Sequence, residues 1–315
     1  MIDIKNTIDF MGKSRIATTF SAILIIVSIG AFFINGMKFG LDFTGGTQVE
    51  VLYSDAPDIV GIRDTLRAGG YENFEVVYFG SERDVVIRIQ DMPEQELLLE
   101  ESDQAGDRVI QLLRDATDMD IQLLRSEFIG SQVGDELKEQ GGLGMLVALI
   151  MIMLYISMRF QFKFAMGAVV ALAHDVIIVL GFFSVFRLDF DLTVLAAVLA
   201  VIGYSLNDTI VVADRIRENF RLLRGVEPVE TINISITQTL SRTIITGLTT
   251  LFVLFALLLV GGEMIRGFAI ALIVGIVIGT YSSVYVAAIV MLYMKVSKED
   301  LIPSQKDDSE LDALP

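Results

Sequence analysis

The chain has 315 residues, 53% of them apolar, with a mean hydropathy of +0.61, whereas a soluble globular chain of this length carries far fewer continuous apolar runs. Its formal net charge of −16 argues against nucleic acid or anionic lipid as a partner. It has no cysteine, which excludes disulfides and thiolate metal sites.

Six runs reach the roughly 20 apolar residues that a hydrocarbon core requires: about 16–35, 142–159, 164–186, 192–212, 243–261 and 267–294. Lys13 and Arg15 precede the first, and Ser28-Ile29-Gly30 has small residues at cleavage-like spacing. The run nevertheless continues through Ala31, Phe32, Phe33 and Ile34, so it reads as a retained span and not as a removed leader. The last run exceeds the minimum, which predicts a tilted or protruding helix.

Residues 38–140, between the first and second runs, carry 23 acidic and 9 basic side chains, so −14 of the net charge lies in this loop. Here helical patterning gives way to alternation. Thr47–Tyr53 places Val49, Val51 and Tyr53 on one face of a strand and Gln48 and Glu50 on the other. Pro57 opens a helix to about Ala68, closed by Gly69-Gly70. Phe74–Phe79 and Asp84–Gln90 read as strands joined at Gly80-Ser81-Glu82, followed by a helix from about Glu94 to Ala116 and a strand at Ile121–Ile129. The order β-α-β-β-α-β is that of a ferredoxin-like split unit, with entry and exit at one end of the sheet. The loop has no His, no nucleophile–base pair and no phosphate-binding glycine loop. It reads as an acidic binding or docking module without catalytic or cofactor chemistry. Glycines 69–70 and 141–142 are either hinges or ordinary element ends.

The fold class is therefore a polytopic α-helical membrane protein with six spans and an inserted α+β ferredoxin-like domain. The expected parts are residues 1–37 (amino terminus and first span), 38–140 (inserted domain), 141–295 (five further spans) and 296–315 (an acidic tail). Lys5, Lys13, Arg15, Arg159, Lys163, Arg215, Arg217, Arg221, Arg224, Lys295 and Lys298 share one side of the membrane, and only Arg187 and Arg266 face them from the short loops opposite. The positive-inside rule then places both termini in the cytoplasm and the large loop on the exported side.

An ionisable group at bilayer depth costs roughly 2.5–3.5 kcal/mol, so each one points to a role. His174 and Asp175 lie midway along the third run, Asp208 in the fourth, and Arg242 at the start of the fifth. Gly167, Ala171 and Asp175 share a stripe of small residues; so do Ala196, Ala200, Gly203 and Asn207, beside Asp208. In the sixth run Gly267, Ala271, Gly275, Gly279 and Ser283 form a ladder at spacing four. Such stripes mark close helix packing. Arg242 begins a polar line with Thr246, Thr249 and Thr250. Gly225 lies midway between Asp208 and Arg242, so continuous helices on either side would form a hairpin with arms of about 24 and 21 Å and put the two charges at similar depth. Glu230–Leu240 lying flat on the membrane surface is the alternative. Two readings stand for Asp208 and Arg242: a structural ion pair that fixes register, or a proton relay in which the acid alternates between charged and neutral. His174, Asp175 and Asn207 are secondary relay or packing residues, and Asp214, among Arg215 and Arg217, reads as an interfacial ion-pair member.

Several segments carry a resemblance: Phe39-Gly40-Leu41-Asp42-Phe43-Thr44-Gly45-Gly46-Thr47; Ala173-His174-Asp175-Val176; Ile202-Gly203-Tyr204-Ser205-Leu206-Asn207-Asp208-Thr209-Ile210-Val211-Val212 with Asp214-Arg215-Ile216-Arg217-Glu218-Asn219; Ser241-Arg242-Thr243; and Gly279-Thr280-Tyr281-Ser282-Ser283. With these the chain resembles the SecF family of bacterial protein export, over most of its length short of the tail after Lys295. The resemblance implies membership of the RND superfamily and a SecD partner completing a twelve-helix pseudo-symmetric unit in the inner membrane. It also implies use of the proton-motive force to draw unfolded secretory preprotein outward beside the SecYEG channel. The acid and arginine matching Asp208 and Arg242 are then proton-pathway residues. The alternatives are an RND-type half that moves small solutes or lipids, and a scaffold for membrane insertion. An intramembrane protease fits poorly, since no paired aspartates or Ser–His couple stand at a sensible depth.

Overall fold

The computed structural model describes residues 7–90, 105–223 and 225–297. Among the described residues six helical stretches are long and apolar enough to cross a membrane: Met11–Asn35, Gln132–Arg159, Phe162–Phe186, Leu192–Leu222, Pro228–Val260 and Arg266–Tyr293. In chain order these are the first to sixth spans. The third, fourth and sixth bury 56, 50 and 44% of their apolar windows within the chain, against 17, 6 and 17% for the first, second and fifth. The former trio is thus the centre of the bundle.

Several helices outrun their apolar runs. The second is continuous from Ser131, because its polar opening turns still form helix and Gly134 brings them against the backbone of Phe43 and Gly45. The fourth continues to Leu222 and the fifth starts at Pro228. Their added turns are amphipathic, burying Val212, Ala213, Ile216 and Phe220 on one and Ile232, Ile234 and Ile236 on the other. Residues 230–240 therefore belong to one unbroken helix and not to a separate surface segment. The sixth is interrupted at Tyr285, between Arg266–Val284 and Val286–Tyr293. Just before the break, the Ser282 and Ser283 hydroxyls also approach the carbonyls of Gly279 (3.2 Å) and Thr280 (3.0 Å), which share each hydroxyl's one hydrogen with a carboxylate, a pattern that bends helices.

Close packing of the fourth and sixth spans follows from the glycine ladder. A Cβ at Gly267 would stand 2.9 Å from Val194 Cγ2, one at Gly275 2.9 Å from Val201 Cβ, and one at Gly279 3.1 Å from Ser205 Cβ. Ala271 is fully buried between them in sequence. The ridge Val194–Val201–Ser205 lies in the groove that these small residues leave.

The inserted domain has four strands, β1 (Gly46–Tyr53), β2 (Phe74–Phe79), β3 (Ser81–Ile89) and β4 (Ile121–Ile129), in the order β2-β3-β1-β4 with every pair antiparallel. Helices Ile59–Ala68 and Ala105–Asp115 connect β1 to β2 and β3 to β4. This is the element order read from the sequence. The first helix is capped by the Asp58 carboxylate, which accepts from the Val60 and Gly61 amides (3.0 and 3.3 Å), so Pro57 stands just outside it. The opening of the expected second helix, from Glu94, lies outside the described residues. Val49, Val51, Tyr53, Val85, Ile87 and Ile89 meet Ile62, Leu66, Val109, Ile110 and Leu113 in the domain's core. Gly46 pairs with Ile129, so the chain enters and leaves at one end of the sheet. Gly46 has φ +132°, and a Cβ there would run into the Ile89 carbonyl and stand 2.8 Å from Leu41 Cδ2, so no other residue fits the turn.

Candidate functional site

Two carboxylates lie inside the bundle, each held by hydroxyls from neighbouring spans. Asp208, 7% exposed, accepts from Thr243 Oγ1 on the fifth span (2.9 Å) and, more loosely, from Ser283 Oγ on the sixth (3.4 Å). Asp175 is fully buried on the third span. Its Oδ2 accepts from Ser205 of the fourth span and from Ser282 of the sixth (2.7 Å), and its Oδ1 lies 2.8 Å from His174 Nδ1. The other ring nitrogen of His174 is 3.1 Å from Ser21 Oγ on the first span, which in turn contacts the Tyr281 hydroxyl (2.9 Å). Tyr281 donates to the Ala17 carbonyl (2.8 Å). A polar string therefore joins the first, third, fourth and sixth spans, and Ser282-Ser283 carries it to Asp208 and the fifth.

The hairpin of the fourth and fifth spans places residue 243 level with residue 208. Successive helix residues point about 100° apart, so Thr243 faces Asp208 while Arg242 faces outward. Arg242 is exposed on the surface of this chain and makes no hydrogen bond or ion pair to Asp208 among the described residues. Thr249 and Thr250, next along the polar line, donate to their own helix at Ile245 and Thr246 (2.9 Å each). Arg242 borders a crevice of about 300 Å³ that Arg159, Asp214, Arg215, Glu218 and Gln238 also line, at the end of the bundle away from the sheet. Asp214 has Arg217 at 4.0 Å, and Arg215 pairs with Glu218 (2.9 Å).

Not every small residue packs as its spacing predicts. Gly203 has no atom within 4 Å of where a Cβ would stand. Ala196, Ala200 and Asn207 are exposed with it, because the fourth span turns its opposite face, Val194–Val201–Ser205, toward the sixth. The packing expected at Gly203 is therefore not supplied by this chain. Sequence reading missed Ser21, Ser205, Tyr281 and Ser282 as partners of the acids. A signal was present, since Ser205 and Asp208 are three apart on one helix and Tyr281, Ser282 and Ser283 interrupt an apolar run.

A third cluster ties the sheet to the membrane helices. Lys38, just past the first span, pairs with Asp189 (2.7 Å), between the third and fourth, and with Glu75 on β2 (3.3 Å). Arg88 on β3 pairs with Asp189 (3.0 Å) and Glu75 (3.5 Å). Partial burial pulls the Lys38 ammonium down, but Asp189 and Glu75 outweigh it and hold its pKa above the ordinary lysine value. Phe190 exchanges backbone bonds with Lys38 and Gly40 (2.8 and 2.9 Å), and Phe39, Phe43, Phe183 and Phe190 form one aromatic cluster beneath. Among the described residues no His, Asp and Glu group has the arrangement of a metal site.

The family model for the C-terminal region of protein export membrane proteins SecD and SecF matches residues 108–297, and the SecD/SecF GG motif matches residues 30–57. Protein translocase subunit SecF of Pseudomonas aeruginosa is 50% identical over 304 residues, which cover 96% of each chain. That of Vibrio alginolyticus is 49% identical over 99% of this chain and 98% of its own. Among solved structures, SecDF of Thermus thermophilus, described as a translocon-associated membrane protein, superposes with a TM-score of 0.78 at 35% identity, over 94% of this chain. This chain spans 40% of that one. SecDF in a super-membrane-facing form gives a TM-score of 0.69 over 92% of this chain and 39% of its own.

Proposed function

We propose, from the premise that this chain belongs to the SecF family of protein translocase subunits, that it joins a SecD-type partner and uses Asp208 to couple proton movement to preprotein export beside the SecYEG channel. The observation that carries the reading is the setting of Asp208: a carboxylate 7% exposed inside an apolar bundle, bonded by two hydroxyls and by no cation among the described residues. For a carboxylate so placed, the arrival or departure of one positive charge changes how readily it keeps a proton.

Arg242 is that charge. It lies one residue from Thr243, on the face where this chain leaves Gly203 and Asn207 uncovered. A partner seated on this face desolvates Arg242, and a rotation of the fifth span by about 100°, one residue's worth, exchanges Thr243 for Arg242 opposite Asp208. The longer SecDF chain, of which this one spans 40%, has the length to supply such a second half. A membrane potential of 100 mV provides about 2.3 kcal/mol per charge moved, enough to bias two packings of one helix pair. The flanking basic residues orient the protein in the inner membrane with both termini cytoplasmic and the acidic domain periplasmic. The role is transport, with no covalent step.

Asp208→Asn, produced with its SecD partner and assayed by potential-stimulated export of a preprotein into inverted membrane vesicles, tests this. The stimulation is expected to fall at least tenfold while the partner still co-purifies. Full stimulation by Asp208→Asn refutes the coupling role.

A further inference from the structure

We propose that His174 and Asp175 form a second proton-holding site, a buried imidazolium–carboxylate pair. The argument is a count of protons. Four consecutive contacts run from Asp175 Oδ1 to His174 Nδ1 (2.8 Å), from His174 Nε2 to Ser21 Oγ (3.1 Å), from Ser21 Oγ to the Tyr281 hydroxyl (2.9 Å) and from there to the Ala17 carbonyl (2.8 Å). Each needs one hydrogen. With Asp175 ionised the two ends of the string, a carboxylate and a carbonyl, are acceptors only; a neutral Asp175 would hold the same extra proton on Oδ1 and leave Nδ1 bare, which the ring signal below distinguishes. A neutral imidazole brings one N–H, and Ser21 and Tyr281 bring one O–H each, which makes three. One contact is then a meeting of bare lone pairs, with water excluded at the His174–Asp175 end, where His174 is 3% exposed and Asp175 fully buried, and the Tyr281 end only part-buried. An imidazolium brings two N–H groups, and all four contacts close: Nδ1–H to Asp175, Nε2–H to Ser21, Ser21 O–H to Tyr281, and Tyr281 O–H to Ala17.

The charge count agrees. Oδ2 of Asp175 already accepts from Ser205 and Ser282, which fits an ionised carboxylate. Beside a neutral imidazole it would be an isolated buried anion, whereas beside an imidazolium the pair is neutral overall and every donor is used. The elements packed around the pair present Ser21 from the first span, Ser205 from the fourth, and Tyr281 and Ser282 from the sixth. Other titratable groups on these elements are Tyr285, whose ring is tilted against Tyr281 at 5.4 Å, and Asp208, three residues beyond Ser205 and bonded by Ser283. No Lys or Arg bonds to either member among the described residues, so His174 is the one cation available to Asp175.

The stored proton stands on these contacts alone, while its use in coupling rests on the reading of Asp208 given above. Ser205 and the Ser282-Ser283 pair join the two acids, so a shift of the sixth span that releases Ser283 from Asp208 also withdraws Ser282 from Asp175.

His174 is the only histidine in the chain, so ¹⁵N-histidine labelling gives one ring signal in the full-length protein reconstituted with its partner in lipid. At pH 7 both ring nitrogens are expected to carry hydrogen. Tyr281→Phe keeps the ring and removes two contacts, and the two that remain are satisfied by a neutral imidazole and Ser21. The ratio of doubly to singly protonated ring should then fall about tenfold, the worth of one hydrogen bond. Asp175→Asn should leave a neutral ring. In Asp208→Asn the doubly protonated signal is expected to persist, so that a failure of the export reading does not remove this one. A wild-type ring with one bare nitrogen at pH 7, or a ratio that Tyr281→Phe leaves unmoved, overturns the proposal.

Discussion

Replacing Gly275 with Ala adds one methyl group at the close crossing of the fourth and sixth spans. The new Cβ would stand 2.6 Å from Val201 Cγ1 and 2.9 Å from Val201 Cβ, well inside van der Waals contact. Val201 cannot turn aside, because a helical valine is confined to one χ1 rotamer and this one is 1% exposed. The fourth and sixth spans must therefore separate. Separation also loosens Gly279 against Ser205 and, through Ser205, the bond to Asp175. Overpacking of this kind costs about 1–3 kcal/mol, and the strained hydrogen bond adds about 1 kcal/mol. The paired variant is Gly203→Ala on the opposite face of the fourth span, where a Cβ meets nothing within 4 Å. Thermal melts of the purified chain in mild detergent, followed by circular dichroism, should show Gly275→Ala clearly destabilised and Gly203→Ala unchanged. In co-purification with SecD the order changes, and Gly203→Leu should weaken recovery of the partner. The reasoning fails if Gly275→Ala melts with the wild type, or if Gly203→Ala melts well below it without a partner.

Gly46→Ala forces a side chain into a left-handed turn against the Ile89 carbonyl; a loss of more than about 2 kcal/mol is expected, read as protease sensitivity of the inserted domain with the spans intact. Asp189→Asn removes the carboxylate shared by Lys38 and Arg88; hydrogen exchange should rise in 36–42 and 188–191, less so at high salt, where these part-exposed pairs are already screened. Burial pushes the Tyr53 phenol up to about 12 from an ordinary 10.0, so its neutral form stabilises the folded domain fully below pH 10 and the contribution is lost as the pH rises through 12. Denaturation of the solubilised chain across that window should show a decline that Tyr53→Phe reduces.

The inserted domain was legible because strand alternation and turn chemistry are local. Val49, Val51 and Tyr53 point to the core as their spacing requires, and Phe74–Phe79 and Ile121–Ile129 have the bounds that their residues imply. Helix ends in the membrane were less legible. The turns before residue 142 and those between 212 and 243 carry charge, so apolarity stops there while the helix does not. For the buried acids, their depth could be read and their partners could not. Which hydroxyl faces Asp208 depends on a rotation of about 100° between Arg242 and Thr243, and that rotation is set by packing across the hairpin, which no spacing along one helix encodes.

The two glycine stripes show where such reading ends. Gly267–Gly279 and Ala196–Asn207 both recur at helical spacing with small residues, yet one is filled by this chain's own fourth span and the other is bare. A repeat of four states that something approaches closely, not what approaches. The bare stripe is flanked by Asn207 and lies on the side of Arg242, and both are side chains that lipid tails cannot solvate. A face that is small, polar at one end and adjacent to a buried acid is stable in a bilayer only when protein covers it. Under the proposed coupling, a partner on this face covers Arg242, and rotation of the fifth span by one residue's angle carries it from beside Thr243 to Asp208.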